Sequence, residues 1–205
     1  MKRNISLLMI IALTVAGALA HQPVIVDRGE IKIEKPEISR AFYGELKGQP
    51  QLYNIYSEKA FDLYVNLLVP KNTNAAGRYS ANIYQIIDSR RVFLVEIKAD
   101  SVAWKELYEP FGGDHYLKGP EWKQAVPAGR FEIEVYNADN RGKYVLAVGE
   151  KEFFGPKEIA NVYTELPKLK GEFFGGNPVS FLWSPFGIAA VIAAAGIIYL
   201  ISKAR

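Results

Sequence analysis

The sequence predicts an all-β protein. It reads as an antiparallel, jelly-roll-like β-sandwich ectodomain, then a juxtamembrane helix and one C-terminal transmembrane helix. Three observations carry this. Apolar and polar residues alternate over much of residues 24–154, the period of half-buried strands. The period becomes helical after Gly155. The chain then closes on a stretch with no charge from Phe181 to Ser202; at about 1.5 Å per residue it can cross a hydrocarbon core of roughly 30 Å.

The first element is a targeting segment. Lys2 and Arg3 precede an uncharged apolar run from Ile5 to Ala20, which ends in Ala18-Leu19-Ala20. A basic start, a short apolar core and an A-x-A site define a secretory signal peptide. Cleavage after Ala20 makes His21 the mature N-terminus. The domain plan is residues 1–20 signal peptide, 21–155 sandwich, 156–180 juxtamembrane helix and linker, 181–202 span, and 203–205 cytoplasmic end. Lys203 and Arg205 hold that end inside, so the sandwich is extracytoplasmic, in the periplasm or at the cell surface.

Charge follows topology. The formal net charge is +3, but removing Lys2, Arg3, Lys203 and Arg205 from the 25 basic residues leaves 21 against 22 acidic ones. No basic patch points to nucleic acid. There is no cysteine, so disulfides and thiol catalysis are excluded. The sandwich has to stand on its hydrophobic core.

The strands follow in order. In FDLYVNLLVP, Phe61, Leu63, Val65, Leu67 and Val69 share one face, and Pro70 ends the run. In RFEIEVYNAD, Phe131, Ile133 and Val135 alternate with Glu132, Glu134 and Tyr136; in GKYVLAVGE, Tyr144, Leu146 and Val148 repeat the pattern. The turn Asn137 to Gly142 holds residues that tolerate left-handed backbone, so these two runs are expected to form a hairpin. Glu30–Glu34, Arg40–Leu46, Gln51–Ser57, Tyr79–Ile86 and Arg91–Ala99 are further strand candidates. Short strands separated by turn signals argue for a sandwich.

The segment Ala128-Gly129-Arg130-Phe131-Glu132-Ile133-Glu134-Val135, followed by Gly142-Lys143-Tyr144-Val145-Leu146, resembles the end of bacterial pre-peptidase C-terminal (PPC) domains. Phe131 stands where those domains usually have Tyr. The resemblance centres on residues 128–148. It implies a jelly-roll-like accessory or binding module, with no catalytic residues.

In PKEIANVYTELPKLKG, Ile159, Val162, Tyr163, Leu166 and Leu169 fall at helical spacing. Pro156 suits the first helical position, and Pro167 is expected to end or kink the helix. Two near-copies, Glu152-Phe153-Phe154-Gly155 and Glu172-Phe173-Phe174-Gly175, bracket it. Phe153-Phe154 is expected to pack in the core. Phe173-Phe174 is expected either to dip into the membrane interface or to pack beneath the sandwich. Trp183 suits an interfacial anchor. The pairs Ala189/Ala193 and Ala190/Ala194 allow helix–helix association in the membrane.

Residues 104–122, WKELYEPFGGDHYLKGPEW, are aperiodic and rich in Gly, Pro and aromatics. They read as a long loop, and long loops often carry function. The candidate binding residues are Trp104, Tyr108, Glu109, Phe111, Asp114, Tyr116 and Trp122. The simplest reading is a folded lid over one end of the sandwich. Alternatively, the rings stack on sugars or contact a peptide, or the carboxylates hold calcium, which wants six or more oxygens.

A mature His21 offers an amine beside its imidazole, and His115, the second of two histidines, offers another nitrogen. This is similar to the histidine brace of lytic polysaccharide monooxygenases and to the N-terminal histidine of copper-binding periplasmic β-sandwich proteins. The resemblance implies Cu(II), for metal delivery or polysaccharide oxidation; no further motif residue of those families is found. Other catalytic patterns are absent: G-x-S-x-G, H-E-x-x-H, and the phosphate- and dinucleotide-binding glycine loops. The chain therefore reads as a non-enzymatic, membrane-anchored binding or scaffolding module of a prokaryotic envelope, needing no cofactor. Copper binding at His21 is the alternative. A protein or carbohydrate partner would meet it at residues 104–122.

Overall fold

The computed structural model describes residues 21–27, 29–110 and 112–204. The expected signal peptide and Phe111 lie outside the described residues. Within them the strands are β1 (Gln22–Ile25), β2 (Ile31–Ile33), β3 (Arg40–Lys47), β4 (Gln51–Ser57), β5 (Phe61–Pro70), β6 (Ser80–Ile87), β7 (Arg90–Ile97), β8 (Lys105–Glu109), β9 (Asp114–Val126), β10 (Gly129–Tyr136) and β11 (Arg141–Val148). They form a six-stranded sheet, β1-β3-β11-β5-β9-β8, and a five-stranded sheet, β2-β4-β10-β6-β7. The helices are α1 (Lys71–Asn74), α2 (Pro156–Lys168) and α3 (Pro185–Ala204), with a π-helical turn (Leu169–Phe173) and a 3-10 turn (Pro178–Trp183) between the last two.

The alternation in the sequence builds the core. Leu63, Val65, Leu67 and Val69 of β5 and Tyr144, Leu146 and Val148 of β11 face Ile55, Ile83, Phe131 and Ile133 of the opposite sheet, all buried. Each such aliphatic side chain contributes about 1.5–3 kcal/mol on leaving water. At the centre the hydroxyls of Tyr53 and Tyr144 meet at 2.7 Å. Tyr144 lies over Gly44, where a Cβ would stand 2.7 Å from its ring.

Four expectations of secondary structure and pairing need correction. First, β10 and β11 are not a hairpin: β10 pairs with β4 and β6, and β11 with β3 and β5. The turn between them, with Asn140 at φ 50° and Gly142 at φ 98°, carries the chain from one sheet to the other. Left-handed backbone serves an arch as well as a hairpin, so the turn residues do not name the partner. Second, the sandwich is not wholly antiparallel, because β1 joins β3, and β2 joins β4, in parallel. Third, residues 104–122 are not a long loop. They hold β8 and most of β9, paired from Lys105–Lys118 to Glu109–Asp114. Fourth, of the end or kink expected at Pro167, the end does not fall at that residue. Pro167 lies inside α2, and the chain continues into the π-helical turn; the hydrogen bond that proline withholds is followed by a wider turn.

The centre of the six-stranded sheet is buried on both faces. On its outer face Ala41, Tyr43, Leu68, Tyr116, Val145 and Ala147 pack against Leu169, Phe173 and Phe174. The two phenylalanine pairs therefore divide. Phe173 and Phe174 pack on the sandwich, whereas Phe153, expected in the core, is 53% exposed. Phe154 packs beside Val162 and Leu166 of α2.

Among the described residues no helix is long and apolar enough to cross a membrane. Within α3 the side chains of Ala189, Ala193, Ile197 and Leu200 are outside the described set, and the small-residue pair Ala189/Ala193 lies with them. The fold does not by itself establish the expected span.

Candidate functional site

A cavity of about 340 Å3 opens on the outer face of the six-stranded sheet, at the small end of the usual ligand range of roughly 300–1,000 Å3. Its floor is Ala41, Tyr43, Leu68 and Val145, and Leu166 reaches it from α2. These floor positions are the outward residues of β3, β5 and β11, made apolar because α2 and the π turn roof them.

Polar groups form the walls. On one side His21 Nδ1 stands 2.5 Å from Ser39 Oγ, with Glu152 on the same wall. Burial lowers the His21 pKa, and the Glu152 charge opposes that shift. On another side, Tyr64 donates to Glu121 at 2.7 Å, which Lys118 also pairs at 2.8 Å. Burial raises the Tyr64 pKa, and the bond to Glu121 adds to the shift. Asn66 is buried and donates to the carbonyls of Gly119 and Pro120. It spans the register shift that Pro120, lacking an N–H, forces on the β5–β9 ladder.

The third wall is the β8–β9 end. Glu109, Gly112, Asp114 and Tyr116 line it. Glu109 Oε2 accepts the Gly112 N–H at 2.8 Å. Asp114 Oδ1 meets Lys170 Nζ at 2.5 Å, with side chains only 10% and 8% exposed. Burial raises the Asp114 pKa while Lys170 pulls it down. The Tyr116 hydroxyl lies 2.9 Å from that of Tyr43, and burial raises both phenols far above their usual value.

The candidates from residues 104–122 thus separate. Tyr108, Glu109, Asp114 and Tyr116 share the cavity. Trp104 and Trp122 do not; they pack against the core between the sheets. Trp104 donates from Nε1 to the Ala99 carbonyl at 2.8 Å, and its ring covers Gly119, where a Cβ would stand 2.5 Å away. His115 is exposed and stacks on Tyr108 at 4.9 Å. It does not line the cavity that His21 lines. Among the described residues no group of three His, Cys, Asp or Glu is placed to hold a metal ion. Sequence reasoning missed Ser39, Tyr43, Tyr64, Asn66 and Lys118. For Tyr43, Tyr64 and Asn66 the signal was an uncharged outward position within a strand; Ser39 and Lys118 carried none.

No protein-family model matches this chain, and no curated protein matches it in sequence. Among solved structures it is similar to the pre-peptidase C-terminal domain of a collagenase from Bacillus anthracis, with TM-score 0.38 and 13% identity over 60% of this chain and 96% of that one. CorA, a surface-associated copper-binding protein important in Methylomicrobium album BG8 copper acquisition, aligns with TM-score 0.32 and 6% identity over 62% of this chain and 100% of that one. A β-glucosidase from Paenibacillus barengoltzii aligns with TM-score 0.29 and 6% identity over 62% of this chain and 13% of that one.

Proposed function

We propose that this chain is a non-enzymatic binding module, tethered by α3 to the outer side of a prokaryotic membrane, with the cavity on the six-stranded sheet as its ligand site. One observation supports the tether above others. In α3, a 20-residue helix, Ile188, Val191, Ile192, Ile198, Tyr199 and Ile201 are all exposed. Exposed apolar side chains on one helix call for an apolar surrounding, and the uncharged sequence from Phe181 to Ser202 extends the run beyond the side chains described. Lys203 then stays on the cytoplasmic side. In this topology the cavity lies outside, and its apolar floor and polar walls suit a small ligand with both kinds of surface.

Fractionation of cells making the full-length chain tests this. The chain should remain in membranes after an alkaline carbonate wash, and protease added outside the inner membrane should remove the sandwich. A chain released by carbonate overturns the tether. Copper at a mature His21 is the competing reading. The exported protein offered one equivalent of Cu(II) should show a native mass beginning at His21 with no retained metal; retained copper would put that reading first.

A further inference from the structure

The Lys170–Asp114 pair has the setting of a reaction as well as of an ion pair. Lys170 lies in the π-helical turn and Asp114 opens β9. Their side chains touch at 2.5 Å in nearly complete burial. Phe174 lies 5.8 Å from the Lys170 nitrogen, and the buried Tyr116 is two residues from Asp114. Two opposite charges held this far from solvent carry a desolvation cost.

A second carboxylate stands beside Asp114. Glu109 is the direct partner of Asp114 in the β8–β9 ladder. Gly112 lies between the two side chains: a Cβ there would stand 2.7 Å from Asp114 Oδ2 and 3.2 Å from Glu109 Oε2. Glycine is what allows both carboxylates to approach one point.

We propose that Lys170 and Asp114 close an intramolecular amide bond, with Glu109 as the proton carrier. Lys170 passes a proton to the Asp114 carboxylate it touches, and the amine so formed attacks Cγ of the acid. Glu109 takes a proton from the nitrogen of the tetrahedral intermediate and returns it to the departing hydroxyl. The C–O bond breaks, an Nζ–Cγ amide forms, and one water leaves into the cavity that Glu109 and Asp114 line. No oxidant or cofactor is consumed. Fixed contact between the groups replaces chemical activation of the acid. The bond joins residues 56 apart in sequence. It fastens the sandwich to the segment that leads into α3, in a chain with no cysteine for a disulfide.

The test is the intact mass of folded, full-length protein, purified in detergent and measured after denaturation. It should be lighter by one water than the mass calculated from its own N-terminal residue, and digestion should give a branched peptide joining Asp114 to Lys170. Lys170→Arg keeps the cation and its hydrogen bond but lacks the reactive amine, so it should show the full mass. Glu109→Gln should refold and convert more slowly, by roughly a hundredfold. Folded wild-type protein at full mass overturns the proposal. Conversion of Glu109→Gln at the wild-type rate overturns the part assigned to Glu109.

Discussion

Tyr43 and Tyr116 touch hydroxyl to hydroxyl, 2.9 Å apart, although two strands separate theirs. Tyr43 is on β3 and Tyr116 on β9, with β11 and β5 between them. Neighbouring strands lie about 4.8 Å apart, so each ring must reach inward over the sheet to meet the other. Phe173 and Phe174 close over them edge-on. The pair belongs at once to the cavity floor and to the seat of the helical segment.

Removing one hydroxyl leaves the other buried without this partner. Tyr43→Phe or Tyr116→Phe should each destabilise the protein by about 1–3 kcal/mol. The double variant should lose less than the sum of the two, because no buried hydroxyl of the pair remains. Urea unfolding of the four proteins in a double-mutant cycle measures the coupling. Simple additivity would show that the two hydroxyls act independently.

Gly44 and Tyr144 make a second prediction. The Tyr144 ring occupies the space that a Cβ on residue 44 would need, at 2.7 Å, and the hydroxyl of that ring is held by Tyr53. Gly44→Ala should therefore cost about 1–3 kcal/mol by overpacking. Tyr144→Leu in the same chain should recover part of the Gly44→Ala cost, since the clash is with the ring. A Gly44→Ala protein with wild-type urea midpoint would refute the close contact.

Much of this fold is written in period-two patterns. Gln51–Ser57 and Phe61–Pro70 are strands over the bounds that the alternation marks. The patterns fail where both strand faces are used. In β9, Leu117 and Trp122 face the core while Asp114, Tyr116 and Lys118 face the cavity, and Tyr116 is as buried there as a core residue, so the alternation is blurred. Pro120 inside that strand argues for a loop, yet a register shift and the Asn66 side chain absorb it. The cavity was half legible for the same reason. Glu109, Asp114 and Tyr116 stand out as chemistry-bearing residues, but Tyr43 and Asn66 look like ordinary strand residues until a helix covers them. The position of Lys170 had no sequence signal, because its partner is set by where α2 docks.

His21 gives the pH prediction. Its folded-state pKa is lowered from 6.5, first by burial, with Glu152 opposing. The unfolded chain therefore binds a proton that the folded chain binds less well, and stability from this group rises with pH up to about 6.5. Thermal melts of wild type from pH 5 to about 7 should show Tm rising. His21→Asn, which can still bond Ser39, should rise less. The difference between the two curves isolates the histidine from every other titrating group. Parallel curves would mean that His21 is as solvated in the folded state as in the unfolded one.

Trp183 reports on the tether. It is 83% exposed at the end of the 3-10 turn, and Ser184 Oγ then caps α3 by accepting the Gly187 N–H at 3.1 Å. No slack lies between that turn and the helix, so a membrane-held α3 fixes Trp183 at the headgroup boundary, where tryptophan is favoured. Trp104 and Trp122 are partly buried in the sandwich, so a Trp104→Phe/Trp122→Phe protein leaves one emitter. In phosphatidylcholine vesicles brominated near the headgroup end of the acyl chain, its fluorescence should be quenched and shifted to the blue. Bromine at the chain ends should quench it less. A spectrum like that of tryptophan in water, unquenched by either lipid, would place the turn away from the bilayer and remove the tether that holds the cavity at its surface.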